Sequence, residues 1–360
     1  MASWRWNNYL LSRVPSSKTP LLISVDETSL CRFQGGGKGT VFIRKSVQQA
    51  TLAQRRAYLS HVGVACNQPH LQRLLPQFIV GNERLLPARA MVRLEAAAPA
   101  YVRLVRQQSS WINSQLFASI LRDIVKALQP YLDTYQIIFI FDAAPTHITA
   151  HVFRQCGRLG AWPMLVAANM TWCLQVLDTH AFSRYKRCVE GAYQDALAIG
   201  AVGIDEFFEC VYGAIEEVIQ SVPWQGAFLD NGFGANQNAL CRSVRRHLQL
   251  EGPVSVSSDR PTDEDLRVCF PRGYVIPAAV QSWMALPAAP AIVAAAAASP
   301  GPSSAASSVA APLPATARYF TRSVAAAMSA APSSGSAPSS APAVVAHRLL
   351  SPRWIPSHRL

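Results

Sequence analysis

No C-x-x-C pair occurs among the eight cysteines (Cys31, Cys66, Cys156, Cys173, Cys188, Cys210, Cys241 and Cys269). Neither a zinc finger nor a dithiol redox motif is therefore written in the chain, and reduced, mostly buried thiols are expected. No apolar signal-type run follows the opening MASWRWNNYLLSR, and the Ala-rich stretch 285–299 is interrupted by Pro287 and Pro290. Secretion and a membrane span are not expected. No segment repeats at a fixed period, which argues against a solenoid or propeller. Acids are scarce, 21 Asp and Glu against 33 Lys and Arg, for a net charge of +12 and a pI near 9.6. That imbalance favours a polyanionic partner, nucleic acid before a membrane surface.

Half of the 360 residues are hydrophobic, enough for a sizeable core. Composition shifts after Trp283 to Ala, Pro and Ser, so residues 285–360 are expected to be a disordered tail. Its only charged residues are Arg318, Arg322, Arg348, Arg353 and Arg359, a sparse basic arm.

Upstream, strand-like and helix-like periods alternate. Leu21 to Val25, Thr40 to Arg44, and His61 to Cys66 with 78–80 read as an antiparallel beginning, the first two joined across Gly35-Gly36-Gly37 and Gly39. Leu116, Ile120, Ile124 and Leu128 recur at helical spacing until Pro130. Gln136 to Phe141 is a buried strand ending at Asp142, followed by a helix near 147–159. Pro163 to Ala167 is another strand, and a long helix is expected over 174–198. Helical patterns follow at 204–220 and 239–250.

Asp26 and Asp142 each end a strongly apolar strand, where an ionised carboxylate is costly unless a positive charge is near. A divalent cation answers that cost. Hard oxygen ligands select Mg²⁺ or Mn²⁺, and a pair of such ions suits phosphodiester cleavage. A third acid would complete the set, and patterning alone leaves Asp133, Asp178, Asp195 and Asp230 open.

Five blocks in order narrow the choice. LLISVDETSLC (21–31), SWINSQLF (110–117), IIFIFDAAPTH (137–147), NMTWCLQVLDTHAFSRYKR (169–187) and WQGAFLDNGF (224–233) together resemble the catalytic domain of pogo/mariner-type DDE transposases. In that family an apolar run precedes D-N-A-P-x-H, and L-Q-P-L-D carries the last acid. The resemblance implies Asp178 as third acid, with thirty-five residues between Asp142 and Asp178 (178 − 142 − 1). It also implies an α/β, ribonuclease-H-like mixed sheet (βββαβαβα) with helices on both faces. The implied activity is DNA phosphodiester cleavage or strand transfer with two Mg²⁺ or Mn²⁺ ions on Asp26, Asp142 and Asp178. Arg184, Lys186, Arg187 and His147 are the candidate DNA contacts. DNA is the implied partner, the nucleus the expected location, and a homodimer is held open.

The chain departs from the pattern at Ala143 for Asn, Val176 for Pro, and Ala167-Ala168 for prolines. None removes a candidate ligand, but each alters the support around one. The chain starts about twenty residues before the first catalytic strand, so the paired helix-turn-helix readers of such transposases are not expected, nor is sequence-specific binding. The alternative is a catalytically silent DNA- or protein-binding relic. The expected division is an N-terminal extension (1–19), the catalytic domain (20–250), its C-terminal extension (251–284) and the tail (285–360).

Overall fold

The computed structural model describes residues 1–31, 40–43, 46–49, 58–83, 86–108, 110–200, 203–234, 237–278 and 280. The glycine turn at 35–39 and the tail at 285–360 lie outside the described residues. The elements run α1 (Ala2–Arg13), β1 (Thr19–Cys31), β2 (Thr40–Ile43), β3 (Ser46–Gln49), β4 (Tyr58–Cys66), α2 (Pro69–Gln72), β5 (Gln77–Asn82), α3 (Ala88–Ala97) and β6 (Val102–Gln107). They continue α4 (Ser114–Ala127), β7 (Tyr135–Phe141), α5 (Ala150–Arg158), β8 (Trp162–Leu165), α6 (Thr171–Leu174), α7 (Val176–His180) and α8 (Phe182–Ala198). Then come α9 (Ile204–Ile215) with a π-helical turn at Glu216–Gln220, α10 (Gln225–Asp230), α11 (Arg242–His247) and α12 (Asp263–Cys269).

Six strands form one sheet in the order β6-β5-β4-β1-β7-β8. β4 is antiparallel to both β1 and β5, whereas the pairs β1–β7, β7–β8 and β5–β6 are parallel. Setting aside the edge strand β6, the first five strands of the sheet stand third, second, first, fourth, fifth, and only the second is reversed. That is the ribonuclease-H-like mixed sheet expected above. Leu21, Leu22, Ile23, Ser24 and Val25 on β1 are all buried, so both faces of the central strand are covered, as strands flanked by helices on both sides must be.

The strand expected at 40–44 is corrected. Thr40–Ile43 pairs with Ser46–Gln49 in a separate two-stranded ladder, and Tyr58–Cys66 is the second strand of the main sheet. The long helix expected at 174–198 is broken into α7 and α8, preceded by the short α6, because Gln175 is extended (φ −76°, ψ 119°) and Ala181 lies off regular helix geometry (φ −109°, ψ −59°). Residues 2–13, read as an extension, form a helix that packs on α12 and β8 and buries Trp4 and Trp6. No described helix is long and apolar enough to cross a membrane.

The expected helix stripe at 116–128 is present. Asn113 caps α4 by accepting a hydrogen bond from Leu116 N at 2.8 Å, and Ile120, Ile124 and Leu128 are buried while Leu116 is partly so. Phe117 on the same helix turns toward the end of β7, where it meets Phe141 edge-on.

Candidate functional site

Three elements deliver the three candidate acids. β1 and β7 are parallel with Ser24 opposite Ile140, so Asp26 and Asp142 both lie two residues past the paired stretch; Asp142 ends its strand as expected, but Asp26 does not, because β1 runs on to Cys31 along β4. Asp178 arrives on α7, and α7 is tied down residue by residue. Gln175, fully buried just before it, donates from Nε2 to Val25 O (3.2 Å) and accepts from Ser24 Oγ (3.4 Å). Asn231 donates to Leu174 O (3.0 Å) and to Thr179 Oγ1 (2.8 Å). Gly63, opposite Asp26 on β4, leaves room for this segment, since a Cβ there would lie 3.1 Å from Phe182 Cε1 and 3.4 Å from Leu177 Cδ1. The Q in LQVLD and the N in LDNGF thus serve as struts for the last acid.

The electrostatics couple the acids. Burial first, then the carboxylates of Asp178, Glu27 and Asp142, push Asp26 well above the usual carboxylate range. Its Oδ1 accepts the amide of Glu27 at 2.9 Å, and its buried Oδ2 has no hydrogen-bond partner. Burial and the charge of Asp142 raise Asp178, while Lys186 opposes them. Burial would raise Asp142 too, but the hydrogen bond and charge of His147 outweigh it and hold Asp142 below its ordinary value.

His147 is the residue whose role the sequence does not announce. Its ring is buried, stacks on Phe117 (centroids 3.9 Å apart, planes at 25°), and sits between two carboxylates. Nδ1 lies 2.5 Å from Asp142 Oδ1 and Nε2 lies 2.8 Å from Glu27 Oε1. Burial disfavours the imidazolium, yet Asp142 and Glu27 together lift the histidine to about 10, so at neutral pH both nitrogens donate. Ala144 N adds a 3.2 Å hydrogen bond to the same Asp142 oxygen. Glu27 and His147 are 120 residues apart in the chain, and only the fold makes them partners.

Of the other residues singled out from sequence, Lys186 is the one basic side chain electrostatically linked to an acid of the site. Arg184 is paired with Glu217 at 2.9 Å, and Arg187 reaches back to Ser183 O at 3.3 Å. Trp224 is core, and Trp172 is half exposed. The substituted flanks Ala143, Ala167 and Val176 are all buried, filling the space with methyl groups where the family pattern has an amide or proline rings.

A divalent cation fits these residues in part. The donors are hard oxygens, and the unpartnered, buried Asp26 Oδ2 is the kind of atom a cation satisfies. Among the described residues, however, no group of three or more His, Cys, Asp or Glu side chains is arranged as a metal-holding cluster. The fit is one of donor chemistry and charge.

No family model matches the chain, and no curated protein does. Among solved structures it is similar to a Mos1 transposase paired-end complex with the left transposon end, at 12% identity over 64% of this chain and 62% of that one, with a TM-score of 0.33. It is also similar to the catalytic domain of Mos1 mariner transposase, at 12% identity over 59% and 91%, TM-score 0.29. A Mos1 paired-end complex with Mn compares at 12% identity over 60% and 63%, TM-score 0.31. The chain spans about three fifths of the length of the paired-end complex protein. At similarities this low, the fold assignment rests on the strand order and directions above.

Proposed function

We propose that the end of the sheet bearing Asp26, Asp142 and Asp178 is a divalent-metal site for cleavage or transfer of DNA phosphodiesters. The observation that carries this reading is the Asp26 carboxylate, buried, raised by three neighbouring acids and left with an unpartnered oxygen. A protein seldom keeps such a group for stability, because uncompensated buried charge is costly. The five ordered sequence blocks around the same acids support the reading independently.

Mg²⁺ or Mn²⁺, when bound, would polarise the phosphate and lower the pKa of an attacking water. Asp26, Asp142 and Asp178 are the residues that would hold it. His147 keeps Asp142 ionised, Glu27 anchors the far side of that histidine, and Lys186 stands beside Asp178 where a phosphate oxygen would need a cation. The positive net charge of the chain serves attraction to the backbone of either DNA strand.

A second reading has an observation of its own. One oxygen of Asp142 is committed to His147 and Ala144, which favours a domain that has kept the fold and the DNA affinity without the chemistry. Nicking of supercoiled plasmid by the full chain in Mg²⁺ or Mn²⁺, beside Asp142→Ala, decides. Nicking that falls at least ~100-fold in the variant supports the nuclease; equal traces from two folded proteins leave the silent binder.

A further inference from the structure

A cleft of about 630 Å³ is lined by residues separate from the acid site. Its walls are the β8–α6 loop at Ala168 and Asn169, and the C-terminal segment from α12 through Ile276. The two walls bring together unlike chemistry. Arg267 and Arg272 supply positive charge, Phe270 and Tyr274 stack in parallel (centroids 5.8 Å apart, planes at 5°), and Val275 stands 84% exposed at the mouth. Glu264 is the single acid of the lining and is held toward Arg267 at 3.8 Å.

The position matters as much as the lining. Tyr274 Oη donates to Ile148 O at 2.9 Å, and Ile148 directly follows the histidine that clamps Asp142. Asn169, in the left-handed region at φ 63°, accepts from Trp172 Nε1 at 3.0 Å and so ties a half-exposed indole to this wall residue. That indole meets His247 edge-on at 4.9 Å, and His247 ends α11, whose sequence RSVRRH holds three arginines. Aromatic faces interleaved with arginines suit a nucleotide better than an apolar small molecule, because bases stack while phosphates take the charge. The volume falls in the range of pockets that take ligands of nucleotide size.

We propose that this cleft binds an unpaired nucleotide of the DNA strand that leaves the acid site, with its base against Tyr274 and its phosphate on Arg272 and Arg267. The proposal rests on the nuclease reading for its choice of DNA over other polyanions. It adds a site for an unpaired nucleotide that is distinct from the acids.

The test uses the full chain and a fluorescein-labelled 12-nucleotide single-stranded oligodeoxynucleotide, read by anisotropy across a salt series without divalent metal. Val275→Glu places a negative charge at an exposed position that cannot unsettle the core, and is expected to weaken binding about tenfold. Arg267→Gln with Arg272→Gln is expected to do the same and to flatten the slope of log affinity against log salt by ~0.7, the change for one single-strand phosphate that is no longer neutralised. Val92→Glu, on the helix α3 that packs near the opposite edge of the sheet, carries the same charge change and should bind as wild type. Wild-type affinity in all variants, equal weakening by Val92→Glu and Val275→Glu, or no binding by the wild-type chain overturns the cleft. Plasmid nicking is scored separately. Nicking with no dependence of oligonucleotide binding on the cleft removes this site and keeps the nuclease, and cleft-dependent binding without nicking does the reverse.

Discussion

His147 and His61 are both buried in this fold, and their surroundings drive them to opposite charge states. His147 has a carboxylate on each nitrogen and is raised to about 10; His61, on β4, has none, and burial drives it down to about 3. His61 instead packs against Tyr185, with ring centroids 4.9 Å apart, and neither nitrogen makes a well-formed hydrogen bond, although Gln77 lies beside it. Burial acts the same way on both; what differs is whether the chain supplies counter-charge. One ring is therefore a fixed cation that organises a site, and the other is a neutral piece of core.

The largest effect that would break this contrast is removal of the cation. His147→Ala should cost roughly 3–5 kcal/mol in a urea unfolding experiment, because it leaves Glu27 and Asp142 facing a cavity without compensation. A loss below about 1 kcal/mol would mean that solvent already screens the pair.

Next comes pH. His147, raised when folded, contributes stability that is fully present below about pH 6.5 and is lost as pH climbs toward 10. His61, depressed when folded, contributes stability present above about pH 6.5 and lost as pH falls toward 3. Each limb has a slope of at most ~1.4 kcal/mol per pH unit. His61→Phe should flatten the acid limb of melting temperature against pH and leave the alkaline limb alone; an unchanged acid limb assigns it to other groups.

The smallest effect concerns a third buried group. Asp26, like His61, is ionisable, buried and short of a counter-charge, so Asp26→Asn should stabilise the metal-free protein by ~1–2 kcal/mol. Nicking activity should disappear in the same variant. A lower melting temperature for Asp26→Asn would show that the carboxylate is already compensated.

The contrast also marks what a sequence can show. Strand β7 is legible as a short apolar run ending in an acid, and α4 because its apolar residues keep a 3.6-residue period; of β1 only the apolar run up to Asp26 is legible, since the polar residues after it extend the strand to Cys31 only by pairing with β4. β6 was missed: VRLVRQ interleaves arginines with half-buried residues, the signature of an edge strand that resembles a loop. α1 was read as an extension because two tryptophans and two asparagines give no clean period until α12 and β8 supply their partners. The three acids were found through local blocks. From sequence His147 is only a candidate DNA contact and Glu27 is not singled out, since the bond between them spans 120 residues and leaves no local trace. The cleft at 264–276 had no motif at all.

The parallel pairing of β1 with β7 has a consequence for how the protein comes into being. Thr19 pairs with Tyr135 across 116 positions (135 − 19), so the end of the sheet where Asp26 and Asp142 meet cannot form from any local stretch of chain. Closing so large a loop is entropically costly before its contacts repay it, which places this strand pair among the slow steps of folding. A nascent chain therefore carries its first acid for more than a hundred residues of synthesis as an ordinary solvated carboxylate. Whatever reactivity the site has switches on only with completion of the fold.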